Sequence, residues 1–145
     1  TVDAAALDLR GFSLVVGFDP GIVEVLSVSA GPQVTGASCP HFLYPFYSTG
    51  ADSVAFDGAT LGCSTNGPGP IVTIVFQALP QPLVGGYPAI TPLLWRSAIL
   101  RDGNNDPLPV ICDPGYIEVI RPISVDAASW ARTKAGYREE GVTPR

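Results

Sequence analysis

Methionine is absent from the 145 residues, and histidine occurs once, at His41. A chain that opens Thr1-Val2-Asp3 is expected to have lost a leader or to have been cut from a longer product. Basic residues are few: eight Lys and Arg stand against thirteen Asp and Glu, for a net charge of −5. Nothing here can displace the counterions of a phosphate backbone, so neither nucleic acid nor an anionic membrane surface is expected as a partner. Long apolar runs are missing too. Gly, Pro or a polar residue breaks each one well short of the roughly 18 residues of a membrane span, and no membrane insertion is expected. Cysteine is scarce, and Cys39, Cys63 and Cys112 follow no C-x-x-C zinc spacing. Three cysteines permit one disulfide and a free thiol, and an oxidising, secreted or cell-surface setting is expected.

What the chain does have is apolar content, 46%, beside only 14% charge. That is enough to build one packed core, at a length typical of a single domain. Sixteen Gly and fifteen Pro break long helices and supply tight turns. Between those breaks the pattern has period two. Over 10–18, Phe12, Leu14, Val16 and Phe18 share one face, and Asp19-Pro20-Gly21 then turns the chain. Further strands are expected over 22–29, 41–47, 53–61 and 71–78. In the last of these Val72, Ile74 and Phe76 face inward while Thr73 and Gln77 face out. Three more are expected over 90–101 (kinked at Pro92), 108–112 and 116–121. Short strands with turns between them and no helical pattern predict an all-β antiparallel sandwich. Ser129 followed by Trp130, Lys134 and Tyr137 at helical spacing predicts a short C-terminal helix or tail.

Three segments occur in a telling order. The first is Leu9-Arg10-Gly11-Phe12-Ser13-Leu14, followed by Phe18-Asp19-Pro20 and Val23-Glu24-Val25. The second is Gly69-Pro70-Ile71-Val72-Thr73-Ile74-Val75-Phe76. The third runs from Ser97-Ala98-Ile99-Leu100-Arg101-Asp102 through Pro107-Leu108-Pro109-Val110 to Gly115-Tyr116-Ile117-Glu118-Val119. Together, over about residues 9–120, they resemble cohesin domains. The resemblance implies a nine-stranded jelly-roll sandwich over 1–123, with 124–145 as the appended helix or tail. It also implies binding of a dockerin-like module, as known members do when they assemble enzymes or attach proteins at cell surfaces. Members open with a full strand before the L-x-G-F segment. Only eight residues precede it here, so most of that strand is expected to be absent. The family's strand order would bring the turns after Ala30 and Leu61 to one end, which implies a Cys39–Cys63 disulfide with Cys112 free.

Chemistry finds little support. His41 lies in an aromatic strand and is expected to be structural, and no Ser sits in a nucleophile elbow. The carboxylate pairs Asp52/Asp57 and Asp102/Asp106 fall in or beside turns, where Asp commonly serves the backbone. Asp102-Gly103-Asn104-Asn105-Asp106 copies the start of a calcium loop, but Pro107 stands where Gly is needed, so a hairpin turn is expected. No catalytic residue, metal or cofactor is predicted.

Alternation divides the aromatic strand into Phe42, Tyr44 and Phe46 on one face and His41, Leu43 and Tyr47 on the other, one of which must be core. Tyr44, Phe46 and Tyr47 are the candidates for a binding surface. The expected function is a non-catalytic extracellular protein-binding or adhesion module. One alternative is a filament subunit, in which a neighbouring copy donates the strand that the sandwich lacks; a chain merely cut at its N-terminus is the plainer reading of that gap. A polysaccharide-binding module is the other.

Overall fold

The computed structural model describes residues 7–80 and 88–120. The C-terminal helix or tail expected over 124–145 lies outside the described residues, with Trp130, as does most of the connection after Leu79. Among the described residues the strands are β1 (Leu9–Gly17), β2 (Val23–Ala30), β3 (His41–Phe46), β4 (Ser53–Thr60), β5 (Val72–Ala78), β6 (Ala89–Asp102), β7 (Pro107–Leu108) and β8 (Gly115–Val119). One helical turn, α1 (Pro32–Thr35), follows β2.

Six strands form one sheet in the order β3-β4-β1-β6-β7, with β8 also paired to β6, while β2 and β5 form a second sheet of two strands. All pairings are antiparallel. Alternation places Phe12, Leu14 and Val16 of β1, Val54 and Phe56 of β4 and Leu100 of β6 in the core. Val23, Val25 and Val28 of β2 and Val72, Ile74 and Phe76 of β5 pack against that cluster from the second sheet. Phe18 meets Phe76 edge-on, with ring centroids 5.3 Å apart. The antiparallel sandwich expected from the period-two pattern is the architecture observed.

Three bulges adjust the alternation. In the pairing of β1 with β6, Leu9 and Gly11 oppose the consecutive residues Asp102 and Arg101, leaving Arg10 as the extra residue. A bulge reverses the parity of the strand, so Leu9 and Phe12 are both buried. Arg96 is the extra residue on β6, between Trp95 and Ser97. Leu26 plays the same part on β2, and its side chain is left exposed. β6 also serves two partners: Leu94 to Asp102 pair with β1, and Ala89 to Leu93 pair with β8. Thr91, fully buried in the β8-paired half, accepts the Asp19 amide at 2.7 Å on its hydroxyl oxygen.

The strand expected over 108–112 is shorter than its apolar residues suggested. Pairing with β6 ends at Leu108. Pro109 has no N–H to give the ladder, so the chain leaves the sheet there. Cys112 follows as an exposed free thiol.

One end of the sandwich is held by polar and covalent links. Cys39 and Cys63 are joined in a disulfide across a sequence separation of 24. The buried Thr60 hydroxyl donates to the Cys63 carbonyl at 2.6 Å. Leu9 and Thr65 exchange two backbone hydrogen bonds of 2.8 Å. The Asp8 carboxylate accepts from the Ser64 hydroxyl and from the Gly103 amide. Elsewhere Asp52 takes two hydrogen bonds from the Arg96 guanidinium, at 2.7 and 3.2 Å.

Loss of the Cys39–Cys63 link in a Cys39→Ala/Cys63→Ala variant should lower unfolding free energy by about 2–4 kcal/mol, read from urea midpoints, through the released loop. Hydrogen bonds from Ser64 to Asp8 and from Arg96 to Asp52 hold both carboxyls below their ordinary value of 3.8. Their stabilising contribution is therefore complete above that value and fades as pH falls through the lower folded value. Thermal melts of Asp8→Asn/Asp52→Asn should show a shallower loss of stability below about pH 4 than the parent chain. An identical acid limb would mean these contacts add nothing.

Candidate interaction surface

The outward face of the six-stranded sheet follows from the residues that alternation leaves outside the core. In β3, Leu43 and Pro45 turn partly inward, and Phe42, Tyr44 and Phe46 stand out at 46%, 60% and 50% exposure. Register carries each aromatic across the sheet in a row. Tyr44 lies beside Asp57 of β4, then Ser13 of β1, then Ile99 of β6. Phe42 leads to Ala59, Gly11 and Arg101, while Phe46 leads to Ala55, Val15 and Ser97. The middle of the face is thus built of small side chains between an aromatic strip on β3 and Ile99 with Arg101 on β6. A shallow hollow opens there, lined by Gly11, Ser13, Phe42, Asp57, Ile99 and Arg101.

Of the three candidates for a binding surface, Tyr44 and Phe46 come together: their rings touch edge to face, 4.5 Å between centroids and 76° between planes. Tyr47 does not join them. It lies just past β3, and its hydroxyl reaches toward the Leu26 carbonyl of β2 at 3.4 Å. Phe42, which alternation sets with Tyr44 and Phe46, belongs to the face, and so do Asp57 and Ile99, whose own segments do not mark them for binding. Their shared outward parity was the available signal, and it needed the strand order to be read.

Among the described residues β3 is also the last strand of its sheet. Leu61 donates to the Pro40 carbonyl, so the even-numbered residues of β3 bond to β4 and the odd-numbered ones face away. Pro45 is odd. Its missing N–H falls on the free edge, where a proline blocks pairing with another strand.

His41 is exposed at the start of β3. Asp52 is bound to Arg96. Asp102 accepts the Asn104 and Asp106 amides at 2.9 and 2.8 Å, which makes 102–106 a hairpin turn with its carboxylate already occupied. Trp95 donates its indole N–H to the Asp113 carbonyl at 2.9 Å. No group of three or more His, Cys, Asp or Glu among the described residues could hold a metal ion. No helix among them is long and apolar enough to cross a membrane.

No family model and no curated protein matches the sequence. Solved structures do. A chain of a type I cohesin–dockerin complex from Clostridium thermocellum superposes with a TM-score of 0.67 at 15% identity, covering 83% of this chain and 79% of that one. The non-cellulosomal cohesin of the archaeon Archaeoglobus fulgidus gives 0.63 at 12% identity, over 94% of this chain and 81% of its own. The third cohesin of ScaC from Acetivibrio cellulolyticus, solved with the ScaB dockerin, gives 0.62 at 20% identity over 83% of each chain. The architecture is an antiparallel jelly-roll sandwich, and its fold is that of cohesin domains.

Proposed function

We propose that this chain is a non-catalytic, extracellular protein-interaction module that grips a dockerin-like partner with the outer face of β3, β4, β1 and β6. The observation that carries the reading is the strip Phe42, Tyr44 and Phe46, half exposed on a fold shared with cohesins seen in dockerin complexes. Contiguous apolar surface bordered by polar groups marks contact sites between proteins. A disulfide between Cys39 and Cys63 supports an oxidising compartment. Among the described residues catalysis lacks a constellation to build on, since Asp52 and Asp102 are engaged by Arg96 and by the turn backbone. Polysaccharide binding has less in its favour, because a flat sugar stacks on coplanar rings and Tyr44 and Phe46 stand at 76°.

One observation favours the filament reading as a second. Among the described residues β5 pairs only with β2, and Gly31 and Ile71 fix the register so that the backbone of Val72, Ile74, Phe76 and Ala78 points to the other edge. That edge carries no proline or charge, unlike β3, and a strand from a neighbouring copy would extend it.

Calorimetric titration against a panel of dockerin modules should find at least one saturable binder. Tyr44→Ser/Phe46→Ser should weaken it by more than about tenfold while the melting temperature holds, as for central aromatic anchors. A panel without binders would sink the reading. In sedimentation velocity, assembly through β5 predicts a mass that grows with concentration, and a constant monomer would remove that second reading.

A further inference from the structure

Gly11 sits in the floor of the hollow on the outer face, in the interior of a central strand, where glycine weakens a sheet. Packing explains its neighbours. A Cβ on Gly58 would lie 2.3 Å from Phe12 Cζ, and one on Gly17 would lie 2.6 Å from Arg96 Nε. A Cβ on Gly11 would meet only ordinary contacts, 3.8 Å from the Gly58 carbonyl oxygen and 4.0 Å from the Cβ atoms of Ala59 and Arg101. Its φ is not positive either, unlike those of Gly50 and Gly62. The bulge leaves Arg10 as the extra residue, and Gly11 beside it keeps its pairing with Ala59 and Arg101. The fold does not need a glycine here. What the glycine leaves is room on the solvent side, between Phe42 and Ile99.

The hollow also has a charge to offer. The Asp57 carboxylate, exposed on its wall, has no hydrogen bond or ion pair among the described residues. Arg101, on the opposite side, is turned to its own hairpin, donating to the Asn105 carbonyl at 2.9 Å. The chain as a whole carries −5. We propose that this hollow receives an apolar side chain of a basic protein partner, with a lysine or arginine beside it taken by Asp57. The proposal rests on the interaction reading and adds the chemistry that the partner's surface must have.

Phenethylammonium, an apolar ring with a cationic head, is a minimal probe, and phenylacetate is its anionic counterpart. In amide-resolved NMR of the full chain, phenethylammonium should shift the Gly11, Ser13 and Gly58 amides saturably, and phenylacetate should not. Gly11→Val fills the hollow and should abolish the shifts without lowering the melting temperature. Asp57→Asn, at an exposed position, should weaken binding several-fold and keeps the test valid should Gly11→Val fail to fold. Shifts scattered over the surface, equal shifts from both probes, or shifts that survive in Gly11→Val would overturn the proposal. If a dockerin module binds the parent chain, Gly11→Val should weaken it by about tenfold, on the scale of a filled pocket. Unchanged affinity there would overturn the hollow's role and leave the interaction reading standing. Saturable, charge-selective binding of phenethylammonium with no module bound would do the reverse.

Discussion

Everything in this domain hangs on the two-sided pairing of β1. Its backbone is satisfied by β4 on one edge and β6 on the other, and its side chains alternate between the core and the open face. Phe12, Leu14 and Val16 lose their water against the layer made by β2 and β5. That burial fixes which residues of β4 and β6 point inward, since register in a half-buried sheet cannot slip by one residue without reversing every side chain. The outer face is then determined by subtraction. Gly11, Ser13 and Val15 are presented to solvent because their neighbours in sequence are committed to the interior.

How much of this was legible depended on whether a feature was local. The alternation over 10–18, 53–61 and 71–78 marks strands with a buried face, and those strands are present. Asp19-Pro20-Gly21 reads as a turn for reasons contained in the tripeptide, and the Gly21 amide does bond the Asp19 carboxylate. The bulges at Arg10, Leu26 and Arg96 were not legible, because an extra residue is accommodated by the partner strand and nothing in the local composition announces it. Residues 108–112 read as a strand through Val110 and Ile111, whereas Pro109 decides the matter by removing a donor.

The surface shows the same division. Period two separates the aromatics of β3 into two sets but cannot say which is core. The choice falls to Leu43 and Pro45, which fill the inner side and leave Phe42, Tyr44 and Phe46 outside. Tyr47 departs from Tyr44 and Phe46 because the strand ends at Phe46 and the next residue leans over β2. Asp57 and Ile99 are unremarkable in their own segments and gain meaning only from the register that sets them on either side of Ser13. A site assembled across four strands is a property of their order, which the chain encodes over its full length.

The proline in β3 has a consequence for how such a domain behaves in company. Among the described strands the outermost of this sheet resists a neighbour, so crowded copies would find a closed selvage on that side and would not readily knit together along it. Visitors are turned away from the backbone and toward the side chains, which differ between proteins as the peptide group does not. Selectivity at this surface is thereby favoured over stickiness.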